Sequence, residues 1–301
     1  MTCVLPTEMY KIGIPFLYGP VSGGENTPKI IRYPMGMKDR VIETVRSAVQ
    51  RFFCMTPNFY RTMEGANIIL ATTEETRDLV PDKYKEKTFI FQSIGLQRDI
   101  FFPAPEEKPD RIPRFLMAGR MLYWKGFQLG IKVFIATLES GFVGELVVLG
   151  DTECNHSYEK NKEILQTLCG KYLNTNIKFV EKVEYGQMKA FYDGFDVLIN
   201  CSLRDSGCFV VMEAMSRALP LIVVNTGGPK VNTTSDCAIK IEPAPMKEMI
   251  EEIQSAIVCL GGNKALRKEM GEAGRQYAID EFEMSQRMAK MNHYYELVKT
   301  K

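Results

Sequence analysis

The sequence predicts an α/β protein built on parallel sheets, because short apolar runs alternate with helical stretches along much of its 301 residues. The runs are continuously apolar, as is typical of strands buried on both faces of a sheet. Polar loops that contain glycine follow several of the runs, and ligands bind at that end of the strands in doubly wound sheets. A chain of this length is long for one hydrophobic core, so we expect two domains.

The alternation is most regular from residue 114 onward. Six apolar runs are predicted to be strands, at residues 114–118, 145–149, 177–180, 196–200, 219–224 and 238–241. Helices are predicted between them, at residues 126–140, 158–171, 185–194, 209–217 and 246–259. Strands that alternate with helices in this way form a parallel sheet covered on both faces. We therefore expect a doubly wound domain over residues 110–281.

The first part of the chain, residues 1–109, shows fewer units of this kind and is expected to form a partial domain. Strands are predicted at residues 14–18, 66–71 and 88–92, with a helix at 39–54 between the first two. Four prolines fall within residues 102–113, which is typical of an inter-domain linker.

Residues 283–298 are predicted to form an amphipathic closing helix. Five side chains lie on one side of it: Met284, Met288, Met291, Tyr295 and Val298. We expect this side to pack in a core rather than to bind a partner groove.

The composition excludes several classes of protein. The net charge is +1, from 38 basic and 37 acidic residues, which does not indicate a nucleic-acid partner. No apolar stretch approaches the roughly 20 residues that span a bilayer. The opening residues resemble no signal peptide, so we expect a cytoplasmic protein without a transmembrane segment. Peripheral membrane contact and the oligomeric state stay open.

The cysteines and histidines do not predict a metal site. The eight cysteines form no Cys-x-x-Cys pair and are expected to be reduced thiols. The two histidines, His156 and His293, have no histidine or cysteine at metal-ligand spacing.

Two cations follow the strand at residues 114–118 in a loop bracketed by glycines. The loop runs from Gly119 and Arg120 to Lys125 and Gly126. Two cations held in one loop can clamp a diphosphate. On spacing alone, two solvated surface cations are an equally good interpretation.

A second polar cluster follows the strand at residues 196–200 and continues into a helix. Asp205 or Ser206 can cap this helix. The N–H groups of Gly207, Cys208 and Phe209 then offer a seat for a phosphate. Glu213 lies about two turns further on and can accept hydrogen bonds from a pair of sugar hydroxyls, although a lone glutamate is more often a solvated helix residue.

A third cluster, Gly227 and Gly228, follows the strand at residues 219–224. Glycines allow the backbone to approach a ligand closely or simply to make a tight turn, and a lone pair of glycines is more often a turn. The sequence contains neither the glycine motif of dinucleotide-binding domains nor that of P-loop proteins.

Taken together, the three clusters resemble the retaining glycosyltransferases of the GT-B fold, in family 4. The resemblance covers the chain from about residue 14 to its end and is strongest over residues 114–228. The family's Gly-Arg … Lys-Gly, Glu-x7-Glu and Gly-Gly motifs match the three clusters in order. The segment that contains Gly23, Gly24 and Glu25 is similar to a glycine-rich segment of one branch of the family.

The resemblance implies two Rossmann-like domains that face a cleft, with the first domain incomplete because no strand-loop-helix unit is visible before residue 14. It implies that residues 282–301 pack back toward the first domain. It also implies a donor site without metal or cofactor, formed by Gly119, Arg120, Lys125, Asp205, Ser206, Gly207, Cys208, Phe209, Glu213, Gly227 and Gly228.

Particular roles also follow from the resemblance. Arg120 and Lys125 would hold the diphosphate, Glu213 the ribose hydroxyls and Asp205 the hydroxyls of the transferred sugar. Gly23, Gly24 and Glu25 would lie on the acceptor side. Two departures from the family pattern fall in the second cluster: Asp205 replaces the more usual glutamate, which shortens its reach by one methylene, and Gly207-Cys208 replaces the common Phe-Gly pair.

The expected reaction is therefore metal-independent transfer of a hexose from a UDP- or GDP-sugar to a hydroxyl acceptor, with retention at the anomeric carbon. Two alternatives stay open. One is a truncated homologue that binds a nucleotide-sugar without turnover, and the other is a GT-B nucleotide-sugar epimerase.

Overall fold

The computed structural model describes residues 2–3, 5–32, 36–150 and 156–299, and these ranges form two sheets. Cys154 and the side chain of His156 lie outside the described residues. The strands are β1 Leu17–Val21, β2 Ile68–Ala71, β3 Thr88–Ile90, β4 Arg114–Ala118, β5 Glu145–Leu149, β6 Ile177–Val180, β7 Val197–Asn200, β8 Leu221–Val224 and β9 Ala238–Ile241. The helices are α1 Met37–Cys54, α2 Pro57–Gly65, α3 Glu74–Arg77, α4 Arg98–Phe101, α5 Phe127–Glu139, α6 His156–Cys169, α7 Met188–Asp193, α8 Phe209–Ser216, α9 Gly227–Asn232, α10 Met246–Gly262, α11 Lys264–Phe282 and α12 Met284–Lys299.

Both sheets are parallel, with strand orders β1-β2-β3 and β6-β5-β4-β7-β8-β9. In the second sheet the chain moves outward from β4 to β6 on one side and from β7 to β9 on the other. The strand order therefore reverses between β4 and β7, and a ligand crevice forms at the carboxyl ends of such a pair. The predicted α/β class is confirmed.

The predicted strands of the second sheet agree closely with the structure. β4, β5, β6 and β9 begin and end at the predicted residues. β8 begins two residues later than predicted, after Pro220, because proline has no N–H to donate to a ladder. β7 begins one residue late, after Asp196, whose carboxylate accepts a hydrogen bond from the backbone of Arg114 at 2.8 Å.

The first predicted strand, at residues 14–18, is wrong by three residues. The observed β1 begins at Leu17, which pairs with Ile68. Ile14 is exposed and is followed by Pro15, which cannot donate a ladder hydrogen bond. The apolar run therefore begins before the backbone is able to pair.

The predicted side of the closing helix α12 is only partly confirmed, because Val298 is buried and Met291 packs against the same apolar cluster. Met288 and Tyr295 are exposed, whereas Arg287 is buried. The Arg287 guanidinium lies 4.0 Å from the centre of the Phe91 ring, and the Tyr294 ring packs on the same phenylalanine at 5.5 Å. The prediction counted apolar residues only, so it missed an arginine that packs by its planar face.

The chain passes between the two sheets twice, at neighbouring positions. The Leu96 N–H donates to the carbonyl of Phe282 at 2.7 Å, and the Met284 N–H donates to the carbonyl of Leu96 at 3.0 Å. Beyond this point α12 packs on the first sheet, where Val298 contacts a cluster that includes Leu70. The two crossings are therefore held together by backbone hydrogen bonds.

The proline-rich segment after α4 is fixed to the second sheet by Arg217. This arginine is 1% exposed, and its Nε and Nη2 each lie 2.8 Å from an oxygen of Asp193. Its Nη1 donates to the carbonyls of Ile100 at 2.8 Å and Pro103 at 2.9 Å. The start of the predicted linker is therefore part of the second domain's packing.

Helix α1 buries its polar side. Glu43 and Gln50 are buried, whereas Val41, Val45 and Phe52 are exposed on the opposite side. Helices of globular proteins normally do the reverse. The polar side of α1 faces the glycine-rich segment after β1 and the second domain.

Neither a transmembrane helix nor a group of metal ligands occurs in the described ranges. No helix there combines the length and apolar character that crossing a bilayer requires. No three His, Cys, Asp or Glu side chains gather there at a distance suited to a metal ion. The cysteines of the described ranges are free.

Replacing Arg217 with Met is expected to lower the free energy of unfolding by about 3 kcal/mol, because the partly exposed carboxylate of Asp193 and two backbone carbonyls lose the donors of this buried guanidinium. Urea denaturation followed by circular dichroism measures the change. The matched control is Arg51→Met on the exposed side of α1, where surface substitutions change stability by about 0.5 kcal/mol or less. Equal stabilities of the two variants would contradict the assignment of Arg217.

Candidate functional site

The three predicted clusters meet at the carboxyl edge of the second sheet. They follow β4, β7 and β8, which are neighbours in the strand order. The first two clusters flank the point at which that order reverses. The sheet topology therefore brings together loops that are distant in sequence, since Lys125 and Asp205 are 80 residues apart.

Close backbone packing brings the loop after β4 against the loop after β7. The Leu203 N–H donates to the carbonyl of Trp124 at 2.7 Å. Gly126 has a φ of 71°, and a Cβ at this position would lie 1.9 Å from the carbonyl oxygen of Cys201. Only glycine fits there, so this residue allows Lys125 to reach the second loop.

Lys125 and Asp205 form an ion pair across the two loops, with side chains 16% and 14% exposed. The predicted capping role of Asp205 and Ser206 is wrong. Helix α8 has Cys208 at its N-cap position, with a φ of 54° and no side-chain cap. Asp205 is instead engaged by the ammonium group, because a charge-assisted hydrogen bond is stronger than one to a neutral amide.

The backbone donors expected before α8 are present without acceptors. Among the described residues, no group accepts a hydrogen bond from the N–H of Gly207, Cys208 or Phe209. Arg120 is exposed in the loop after β4 and has no ion pair in the described ranges. Within the described part of the chain, the edge of the second sheet thus offers unpartnered N–H donors and the unpaired cation of Arg120 beside the Lys125–Asp205 pair.

Glu213 projects from α8 and is held at one oxygen. The Tyr192 hydroxyl, which is fully buried on α7, donates to Glu213 Oε2 at 2.7 Å. Burial raises the pKa of Glu213 above its ordinary value, and the hydrogen bond from Tyr192 opposes this shift only in part. The pKa of Tyr192 is raised as well, first by burial and then by the Glu213 charge, so the tyrosine stays a donor.

Gly227 and Gly228 allow the loop after β8 to pack onto the loop after β7. A Cβ on Gly227 would lie 2.2 Å from the carbonyl oxygen of Asp205, and the Gly228 N–H donates to that oxygen at 2.6 Å. The Gly227 N–H donates to Glu75 Oε1 at 2.9 Å. In this structure the close approach is therefore to protein backbone and to a carboxylate of the first domain.

The glycine-rich segment after β1 is held by its own glutamate. Glu25 is buried, and its Oε1 accepts hydrogen bonds from the hydroxyls of Thr73 at 2.7 Å and Thr76 at 2.8 Å. Its Oε2 accepts from the Gly23 N–H at 2.9 Å, and the Gly24 N–H donates to Thr76 at 3.0 Å. Glu25 thus shapes the loop from within, and contact of these residues with an acceptor stays a prediction.

A group of residues that the sequence did not predict joins the two domains beside the site. Arg204 lies next to Asp205, and its Nε is 2.8 Å from Oε1 of the fully buried Glu43 on α1. The Tyr123 hydroxyl donates to the same oxygen at 2.8 Å, and the Arg204 guanidinium lies 4.3 Å from the centre of the Trp124 ring. The one signal available in the sequence was position, since Tyr123 and Trp124 precede Lys125 and Arg204 precedes Asp205.

The ionisation of Glu43 fits this contact. Burial raises its pKa, but the hydrogen bond from Tyr123 and the charge of Arg204 outweigh that effect. The pKa therefore lies below its ordinary value, and the carboxylate is charged at the domain contact.

Residues 99–277 match the family described as Glycosyl transferases group 1. The chain belongs to this family. It is 24% identical over 212 residues to an uncharacterized glycosyltransferase of Methanocaldococcus jannaschii, which covers 68% of this chain and 49% of the relative. It is 24% identical over 165 residues to the capsular polysaccharide biosynthesis glycosyltransferase CapM of Staphylococcus aureus, covering 54% of this chain and 40% of CapM. The chain thus spans about half the length of the curated relatives it matches.

Solved structures show the same fold. A glycosyltransferase from Rickettsia africae aligns with a TM-score of 0.63 at 19% identity, over 78% of this chain and 64% of that one. Sucrose-phosphate synthase from Thermosynechococcus elongatus gives 0.64 at 17% identity, over 91% and 67%. HepE from Anabaena, solved with UDP and glucose, gives 0.63 at 12% identity, over 94% and 71%. The predicted GT-B fold is confirmed.

Replacing Glu213 with Gln is expected to change how stability depends on pH. Because the folded-state pKa of Glu213 is raised, the folded chain binds more protons than the unfolded chain between the two pKa values. The free energy of unfolding therefore falls as pH rises through that window, by about 1.4 kcal/mol per unit of pKa difference. In the Glu213→Gln variant, which has no titrating group at this position, the free energy of unfolding should not fall in this way.

Urea denaturation at a series of pH values between about 4 and about 8 measures the effect. Glu252→Gln, at an exposed position of α10, is the matched control. Its free energy of unfolding should vary with pH in parallel with that of the parent chain. A parallel curve for Glu213→Gln would show that burial does not disfavour its charged form.

Proposed function

We propose that the chain acts in a family 4 glycosyltransferase that transfers a hexose from a UDP- or GDP-sugar to a hydroxyl acceptor, with retention and without a metal or cofactor. The observation that carries the proposal is the Lys125–Asp205 pair at the reversal of strand order, beside the N–H groups of residues 207–209, which have no acceptor among the residues that the structure describes. Membership of the glycosyl transferases group 1 family supports the reaction class.

The ion pair explains how the site can accept a charged donor. Without a donor, Lys125 and Asp205 neutralise each other, so neither charge lies alone in a mostly buried position. When a diphosphate binds, Lys125 leaves Asp205 and contacts the diphosphate. Arg120 and the N–H groups of residues 207–209 contact it as well. The freed Asp205 carboxylate then accepts hydrogen bonds from the sugar hydroxyls.

The proposed chemistry takes place at the anomeric carbon. The bond from this carbon to the diphosphate breaks, and the bond to the acceptor oxygen forms on the same face of the sugar. The departing phosphate oxygen takes the acceptor's proton, so the charges balance. Arg120 and Lys125 stabilise the negative charge that develops on the leaving group.

Glu213 completes the donor site in this proposal. Its Oε2 is held by Tyr192, and Oε1 has no hydrogen-bond partner in the described residues. A carboxylate in this state can accept hydrogen bonds from the two hydroxyls of a ribose. The UDP complex of HepE supports UDP as the first nucleotide to test.

A second candidate is binding of a nucleotide-sugar without turnover. The first sheet has three strands in the described residues and the second has six, so the acceptor side offers less structure than the donor side. Calorimetry with UDP-glucose and GDP-mannose, paired with a product assay against hydroxyl acceptors, separates the two candidates. Binding without transfer would favour the binder, and release of an epimerised sugar without acceptor would indicate an epimerase.

Replacing Lys125 with Ala is expected to weaken UDP or GDP binding about 10- to 100-fold, because a charge-assisted contact to phosphate is lost. Isothermal titration calorimetry measures the affinity for the nucleoside diphosphate and for the nucleotide-sugar, and both should fall. Lys132→Ala, at an exposed position of α5, is the control and should bind normally. Unchanged nucleotide affinity in Lys125→Ala would refute the phosphate role.

A further inference from the structure

Tyr192 lies beneath the candidate donor site without reaching it. Its side chain is 0% exposed, and its hydroxyl donates to Glu213 Oε2 at 2.7 Å. Tyr192 sits near the end of α7, and Glu213 lies on α8. The hydrogen bond therefore joins two helices at the one side chain of α8 that the proposed function assigns to the ribose.

The backbone on both sides of this hydrogen bond is fixed. Asp193, which follows Tyr192, is bound by both Nε and Nη2 of Arg217, which follows α8. The residues around Glu213 on α8, Val211, Met212 and Ala214, are fully buried. The donor hydroxyl and the accepting carboxylate are thus held at set positions, and the hydrogen bond fixes the carboxylate plane.

A fixed carboxylate plane leaves a defined acceptor for a ligand. Among the described residues, no donor is hydrogen-bonded to Glu213 Oε1, and the Glu213 side chain is only partly buried. A glutamate side chain that is free to rotate would lose conformational entropy on binding a diol. Because the hydrogen bond from Tyr192 already restricts the Glu213 side chain, less conformational entropy is lost when a ligand binds.

We propose that Tyr192 is a positioning residue that sets the preference of this site for ribose over 2′-deoxyribose nucleotides. This inference rests on the proposed role of Glu213 in holding the ribose hydroxyls. Tyr192 touches no ligand itself and acts by orienting Glu213 so that both hydroxyls meet the carboxylate together. A 2′-deoxyribose nucleotide lacks one of these hydroxyls, so it cannot make the paired contact with the oriented carboxylate.

The test measures the affinities of UDP and 2′-deoxy-UDP by calorimetry in four forms of the chain: the parent, Tyr192→Phe, Glu213→Gln and the double variant. The parent is expected to prefer UDP about tenfold. Tyr192→Phe should reduce that preference about threefold or more through weaker UDP binding, with 2′-deoxy-UDP binding unchanged. The double variant should match Glu213→Gln, because the tyrosine acts only through that carboxylate.

Tyr18→Phe is the matched control, because it removes another buried hydroxyl, which donates to the carbonyl of Leu5 at 2.8 Å in the first domain. It should leave both affinities unchanged. A threefold change that appears equally for UDP and 2′-deoxy-UDP in Tyr192→Phe would mean a structural role and overturn the inference.

The outcomes also separate this inference from the proposed function. If Glu213→Gln abolishes the ribose preference and Tyr192→Phe keeps it, the inference about Tyr192 fails and the donor site stands. If Glu213→Gln keeps the preference as well, the ribose role of Glu213 fails, and the inference fails with it. If neither UDP nor GDP binds to the parent chain, the proposed function itself is wrong.

Discussion

The ion pair between Lys125 and Asp205 is the contact on which the candidate site depends. It joins the loop after β4 to the loop after β7, where the strand order of the second sheet reverses. Each charge is mostly removed from water and is tolerated there because the other lies beside it. In the proposed reaction, Lys125 leaves Asp205 to bind the phosphate, and the freed carboxylate binds the sugar. Breaking this ion pair therefore couples phosphate binding to sugar recognition.

The sequence predicted the second sheet well because the pattern that forms it is local. Strands buried on both faces are continuous apolar runs, and β4, β5, β6 and β9 end where those runs end. The first sheet and α12 were less predictable because their packing includes exceptions. Pro15 precedes the start of β1, and Arg287 is buried on α12 although a count of apolar residues does not include it.

The members of the candidate site followed from their motifs, but their interactions did not. Nothing local indicated that Asp205 would bind Lys125 instead of capping α8, because that choice depends on a loop distant in sequence. The ion pair of Arg204 with Glu43 joins two domains, and no periodicity predicts such a contact. In the sequence, Tyr192 has the pattern of an ordinary core residue of α7. Only the structure shows that its hydroxyl donates a hydrogen bond to Glu213.

The paired chain crossings at Leu96 and Glu283 have a consequence for motion. Because they are hydrogen-bonded to each other, the two crossings are coupled and cannot move independently. The contacts between the first domain and the second include the ion pair of Arg204 with Glu43 and the hydrogen bond from Gly227 to Glu75, and the buried side chain of Ile31 packs in the apolar core of the second domain. Any rotation of one sheet relative to the other would therefore bend the chain at both crossings together, and it would also have to separate Ile31 from the apolar core of the second domain.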